Sequence, residues 1–180
     1  MAGRRMALIV ANDEYEHEGL KHLLAPGADA DALAAVLGDT RIGDFAVRVV
    51  RNEPAHIIQG WIEDLFAEAR ANDVLVLHFS CHGLKGESGE LFFAARDTRP
   101  NRLASTATSA DFVQRCMRAS RSRSILLLDC CYGGAFSSGV TIRGGRRRER
   151  ARQLSRRPAR RRPRSGGHYG VERDGVCLRG

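Results

Sequence analysis

The chain has 180 residues and a formal net charge of +8, a length that suits one domain with a core of its own. The charge is uneven: residues 1–140 carry 15 Lys and Arg against 18 Asp and Glu, whereas residues 141–180 carry 14 Arg against 3 acids. A mildly acidic body excludes a uniformly basic binding surface, and no run approaches the ~18 apolar residues of a membrane span.

Met6–Val10 is a short apolar run, expected to be the first buried strand; with Ala11 it is still too short for the apolar core of a signal peptide. A polar loop, Glu14 to Leu24, leads into Ala25-Pro26-Gly27-Ala28-Asp29. That stretch should open a helix carrying Ala30, Leu33, Val36 and Leu37 at helical spacing and ending at Gly38. Phe45–Val50 reads as a second strand. Glu53-Pro54 starts a longer helix with Ile57, Ile58, Trp61, Ile62, Leu65, Phe66 and Ala69 in one stripe.

Two apolar runs then share one design. Asp73–Phe79 leads to Ser80-Cys81-His82-Gly83, and Ser124–Leu128 leads to Asp129-Cys130-Cys131-Tyr132-Gly133-Gly134. Apolar runs bounded by polar residues read as parallel strands buried on both faces, and ligands bind at the carboxyl edge of such sheets. Between the two runs, Leu91–Ala95 is expected to be an accessory strand in a hairpin and Asp97–Ala107 a loop. Ser109-Ala110-Asp111 should cap a helix carrying Phe112, Val113, Cys116 and Met117. Alternating strands and helices imply an α/β fold, a mostly parallel sheet with helices on both faces and right-handed crossovers.

Strand-end chemistry follows from alternation. His82 and Cys131, 49 positions apart, would reach one edge as general base and thiol nucleophile. The plainer alternative for Cys131 is a packed strand-end thiol, but a histidine at the matching strand end favours the nucleophile. Cys130 should point to the other side of its strand and be structural. The amides of Gly83 and Cys131 could form an oxyanion hole. Asp129, two before Cys131 and on its side, would pair with an Arg or Lys of a substrate. His78 is expected to be a packing or edge histidine, and His17, His22 and His56 carry no signal. The cysteines and histidines show no metal-ligand spacing. Five cysteines at irregular positions, two of them adjacent, suit a reducing compartment, so a cytoplasmic protein is expected.

Ser80-Cys81-His82-Gly83 resembles the S-G-H-G box of caspases and metacaspases, and Asp129-Cys130-Cys131-Tyr132-Gly133-Gly134 resembles the metacaspase D-S-C-H-S-G box, departing from it at Cys81, Cys130 and Tyr132. The resemblance covers about Ala7 to Val140 and implies the three-layer caspase-hemoglobinase fold. It also implies a cysteine endopeptidase with a Cys-His dyad that cleaves peptide or protein substrates after Arg or Lys. In metacaspases the aspartate matching Asp129 lines a pocket for the basic residue. Asp29, in a position resembling the family's N-D-A box, would join it, or else only cap the first helix; Ser80 would add a hydroxyl. No organic cofactor is implied; calcium activates some metacaspases, but no site for it stands out.

Residues 1–140 are thus expected to form the catalytic domain, incomplete at its C-terminal side. Residues 141–180 should be an Arg-rich disordered tail: Arg143–Arg164 holds twelve arginines and no apolar period. The tail reads as out of frame. One permissible encoding of Gly167–Gly180, shifted by one nucleotide, gives VITASSAMECAFEG, which resembles the strand and serine loop after the family's cysteine box. A frameshift near Gly144–Arg146 would leave the sheet without its final strands and the chain with little or no peptidase activity. Two rival functions remain at this level: a non-catalytic caspase-like interaction module, and a nucleic-acid-binding protein acting through the basic tail.

Overall fold

The computed structural model describes residues 3–131. The expectations for Tyr132, Gly133, Gly134 and the tail lie outside the described residues. Four parallel strands form the central sheet in the order β2-β1-β3-β7: β1 is Arg5–Ala11, β2 Ala46–Arg51, β3 Val74–Ser80 and β7 Arg123–Asp129. A second sheet of three short antiparallel strands, β4 (Gly83–Lys85), β5 (Leu91–Ala94) and β6 (Ala107–Ser109), follows β3. The helices are α1 (Pro26–Gly38), α2 (Ala55–Ala67), the single turn α3 (Leu103–Thr106) and α4 (Ala110–Ala119).

Period-2 alternation divides the central sheet into two faces. Leu8, Val10, Leu75, Leu77, Phe79 and Cys81 join α2 and α4 in the main core. Ile9 and Ala11 turn the other way and pack with Ala30, Leu33 and Leu37 of α1. Helices therefore cover both faces, as the element pattern implied. Phe79 is fully buried and stacks on Phe93 of β5, ring centroids 4.2 Å apart at 12°. That contact joins the small sheet to the large one.

Two aspartates fasten segment ends. Buried Asp73 accepts the backbone N–H of Arg4 at 2.8 Å and of Arg70 at 2.9 Å, and pairs with the Arg4 guanidinium. These bonds, the Arg70 amide foremost, hold its carboxyl below the usual range against the opposing effect of burial. Asp97 accepts the Ala55 N–H at 2.9 Å and so satisfies the first turn of α2 from a distant loop.

Several expectations need correction. The run Asp97–Ala107 is not plain loop: it holds a 3-10 turn at Pro100–Arg102, α3 and the start of β6. These elements are too short for a periodic signal to identify them. Val36 and Ile57 are exposed although they continue the apolar spacing of α1 and α2, because only a stripe of each helix meets the sheet. The β7 run was expected to be buried on both faces, yet Ile125–Leu128 are half-buried. Among the described residues β7 is an edge strand, with β3 on one side only.

Phe79→Ala should cost about 3–5 kcal/mol, the usual range for deleting a buried aromatic, and should loosen β5 with β3. Urea unfolding followed by far-UV circular dichroism measures the loss; a change under about 1 kcal/mol would mean the stack joins nothing of consequence.

Candidate active site

The register of β3 against β7 builds the site. His78 lies opposite Leu127 and Ser80 opposite Asp129. The ladder runs one bond further, from the Cys81 N–H to the Asp129 carbonyl at 3.3 Å. Ile9 and Ala11, which face α1, are in register with His78 and Ser80. The α1 face thus carries His78, Ser80 and Asp129, and alternation extends it to His82 and Cys131. The opposite face carries Cys81, in the main core, with Leu126, Leu128 and Cys130 packed against that core. Cys130 is therefore the inward thiol of the adjacent pair, and Cys131 is exposed.

A cleft of about 510 Å³ opens at this carboxyl edge. Ser80, His82, Asp129 and Cys131 all line it, and the loop His22–Pro26 forms the facing wall. Leu24 on that wall is fully exposed. The Ser80 hydroxyl donates to Asp129 Oδ2 at 3.3 Å, joining two of the expected pocket residues. Asp29 is placed differently: it sits exposed in the first turn of α1 and is not among the lining residues. Nor does it cap the helix, because Ala25 occupies the cap position and no side chain bonds there. Its charge is nevertheless felt at His78, as is that of Asp129, so both carboxylates act on one region of the α1 face.

His82 occupies the bend between β3 and β4. Its Nε2 lies 2.8 Å from the Lys21 carbonyl oxygen. A carbonyl only accepts, so Nε2 carries the proton and Nδ1 of the neutral ring keeps a free lone pair. The Tyr15 ring packs against the imidazole, centroids 5.0 Å apart. Gly83 follows at close quarters: a Cβ built there would fall onto the carbonyl oxygen of Cys131, so only glycine lets the two strand ends approach. Gly83 pairs with Phe93, while the Ala94 N–H donates to the His82 carbonyl at 2.9 Å. This marks Gly83 as a non-hydrogen-bonded position whose N–H points away from β5.

The remaining polar groups have structural roles. Burial pushes the Cys81 thiol well up, which makes it inert as a nucleophile. Buried His78 has no partner at Nδ1. Among the described residues no group of three or more His, Cys, Asp or Glu side chains is arranged to hold a metal, and no helix is long and apolar enough to cross a membrane. Lys21, Tyr15 and Asn12 were not anticipated as site residues. Their one signal was position: Asn12 and Tyr15 follow directly on the carboxyl end of a buried strand.

The family profile of the caspase domain matches residues 4–176. The chain belongs to the caspase domain family. Among solved structures, a protein of Geobacter sulfurreducens aligns with a TM-score of 0.59 and 18% identity, over 71% of this chain and 50% of that one. The structure of pro-sf-caspase-1 aligns at 0.54 and 20%, over 89% and 54%. Caspase-1 from Spodoptera frugiperda aligns at 0.52 and 19%, over 69% and 46%. At these identities the likeness establishes the fold, and this caspase domain spans about half the length of those proteins. No curated protein matches it in sequence.

Burial holds the pKa of His78 below the ordinary histidine value, against the backbone hydrogen bond to Leu127 and the carboxylates of Asp129 and Asp29. The unfolded chain then binds a proton that the folded chain resists, so stability falls as pH drops below about 6.5. The thermal midpoint should decline from about pH 7 to about pH 5, and His78→Gln should flatten that decline. Equal slopes in the two proteins would assign it to other groups.

Proposed function

We propose that this caspase domain is a cysteine endopeptidase with His82 and Cys131 as its dyad and a preference for Arg or Lys before the scissile bond. The observation that carries this reading is the shared cleft. His82 and Cys131 line it from the ends of adjacent parallel strands, and the Lys21 carbonyl leaves His82 Nδ1 as the basic nitrogen.

The proposed chemistry uses protein groups and water, with no cofactor. His82 Nδ1 takes the Cys131 proton, and the thiolate sulfur bonds to the scissile carbonyl carbon. The amides of Gly83 and Cys131 would hold the oxyanion. Collapse of this intermediate breaks the C–N bond, and the imidazolium returns the proton to the leaving amine. Water, deprotonated by His82, then hydrolyses the thioester. Asp129 would meet the substrate's basic side chain in a charge-assisted hydrogen bond, its carboxylate steadied by Ser80. Asp29, exposed on α1, adds negative charge nearby. A mildly acidic body fits a cationic substrate.

A peptidyl electrophile ending in Arg tests the dyad without requiring turnover. Mass mapping should find it on Cys131, and Cys131→Ala should abolish labelling while Cys130→Ala retains it. Labelling that follows Cys130 instead would refute the assignment. Asp129→Asn keeps the shape and removes the charge. It should weaken labelling by Arg probes about ten- to a hundred-fold, the worth of one charged hydrogen bond of roughly 1.5–3 kcal/mol. An unchanged preference for Arg over Gln would remove Asp129 from the pocket.

A further inference from the structure

We propose that Tyr15 is the positioning residue for His82, a side chain that holds both its backbone and its ring; this inference rests on the dyad reading above. His82 stands in the bend between two strands, where no central-sheet neighbour takes up its N–H. The Tyr15 hydroxyl accepts that N–H at 3.1 Å and donates to the Asn12 carbonyl at 2.7 Å. The same tyrosine sets its ring 5.0 Å from the imidazole, tilted by 39°.

The surrounding bonds form a closed circuit. Asn12, at the end of β1, donates its N–H to the Ser80 carbonyl at 3.0 Å and its side-chain amide to the Ala94 carbonyl at 2.8 Å. Ala94 returns its N–H to the His82 carbonyl at 2.9 Å. The peptide groups on both sides of His82 are thus fixed to β1 and β5, with Tyr15 and Asn12 between them. Asn12 and Tyr15 are buried, so water cannot replace these bonds cheaply.

One phenol can play both parts only while it stays neutral, because a phenolate could accept the His82 N–H but could not donate to Asn12. Burial, foremost, pushes the Tyr15 hydroxyl well above the ordinary tyrosine value, which keeps the donor in place across the working pH range. The second tether of the ring, Nε2 to the Lys21 carbonyl, comes from the exposed part of the same loop. Tyr15 is a buried anchor of that loop.

The test is the pH profile of iodoacetamide alkylation at Cys131, read by site-resolved mass spectrometry on the full chain. It compares wild type, His82→Ala, Tyr15→Phe and Tyr15→Leu. In wild type the thiol should alkylate faster at neutral pH than in His82→Ala, because a neighbouring imidazole can take its proton. Tyr15→Phe keeps the ring and should slow alkylation at neutral pH by up to about tenfold, the worth of one hydrogen bond. Tyr15→Leu should move the alkylation profile towards that of His82→Ala. Thermal midpoints are taken alongside; if Tyr15→Leu does not fold, Tyr15→Phe decides the matter. A lowered midpoint with the wild-type profile would make Tyr15 structural only and overturn the proposal. Identical profiles in wild type and His82→Ala would instead overturn the dyad, and the positioning role with it.

Discussion

The site depends on one constraint, the parallel register that places Ser80 opposite Asp129. A slip of one residue would turn every side chain of β7 to the other face. Cys130 would then stand in the cleft and Cys131 in the core. Burial prevents the slip. Leu75, Leu77 and Phe79 have their places against α2 and α4, and Leu126 and Leu128 pack beside them. At roughly 25 cal/mol for each Å² of apolar surface, exchanging such residues for Asp129 is strongly unfavourable. The chemistry at the sheet edge is therefore aligned by packing well below it.

The register brings the strand ends together, but the loop after β1 makes the edge a site. Asn12 and Tyr15 fix the backbone around His82, and Lys21 supplies a carbonyl to its ring. The residues His22–Ala25, with Pro26 at the start of α1, complete the cleft wall. One loop thus orients His82 and shapes the space in front of it. Gly83 contributes by absence, since any Cβ there would strike the Cys131 carbonyl.

The adjacent cysteines show how environment separates two identical groups. Cys131 is exposed at the cleft, whereas Cys130 packs against the main core beside buried Cys81. Burial makes the Cys81 thiol hard to ionise, and it behaves as a small apolar group. Cys81 and Cys130, where the resembling boxes carry Gly and Ser, are thus accommodated as packing residues on the face turned away from His82 and Cys131.

Sequence alone determined the apolar runs of the central strands, the amphipathic helices between them and the sheet edge at which His82 and Cys131 emerge. These are local patterns of period 2 and 3.6, and they survive because burial rewards the same residues that display them. It also identified Cys130 as the inward cysteine, through alternation along one strand. The edge position of β7 depended on what lies beside it, and β6 and the turns around it were too short to show a period. The site position of Asp29 was tied to a motif, yet the backbone starts α1 at Pro26 and leaves the carboxylate on an exposed turn. Tertiary structure alone decided that Tyr15 reaches His82, that a carbonyl from residue 21 fixes its tautomer and that Asp97 caps α2. Each joins residues at least 40 positions apart through one hydrogen bond, and a single bond between distant segments leaves no periodic trace in the chain.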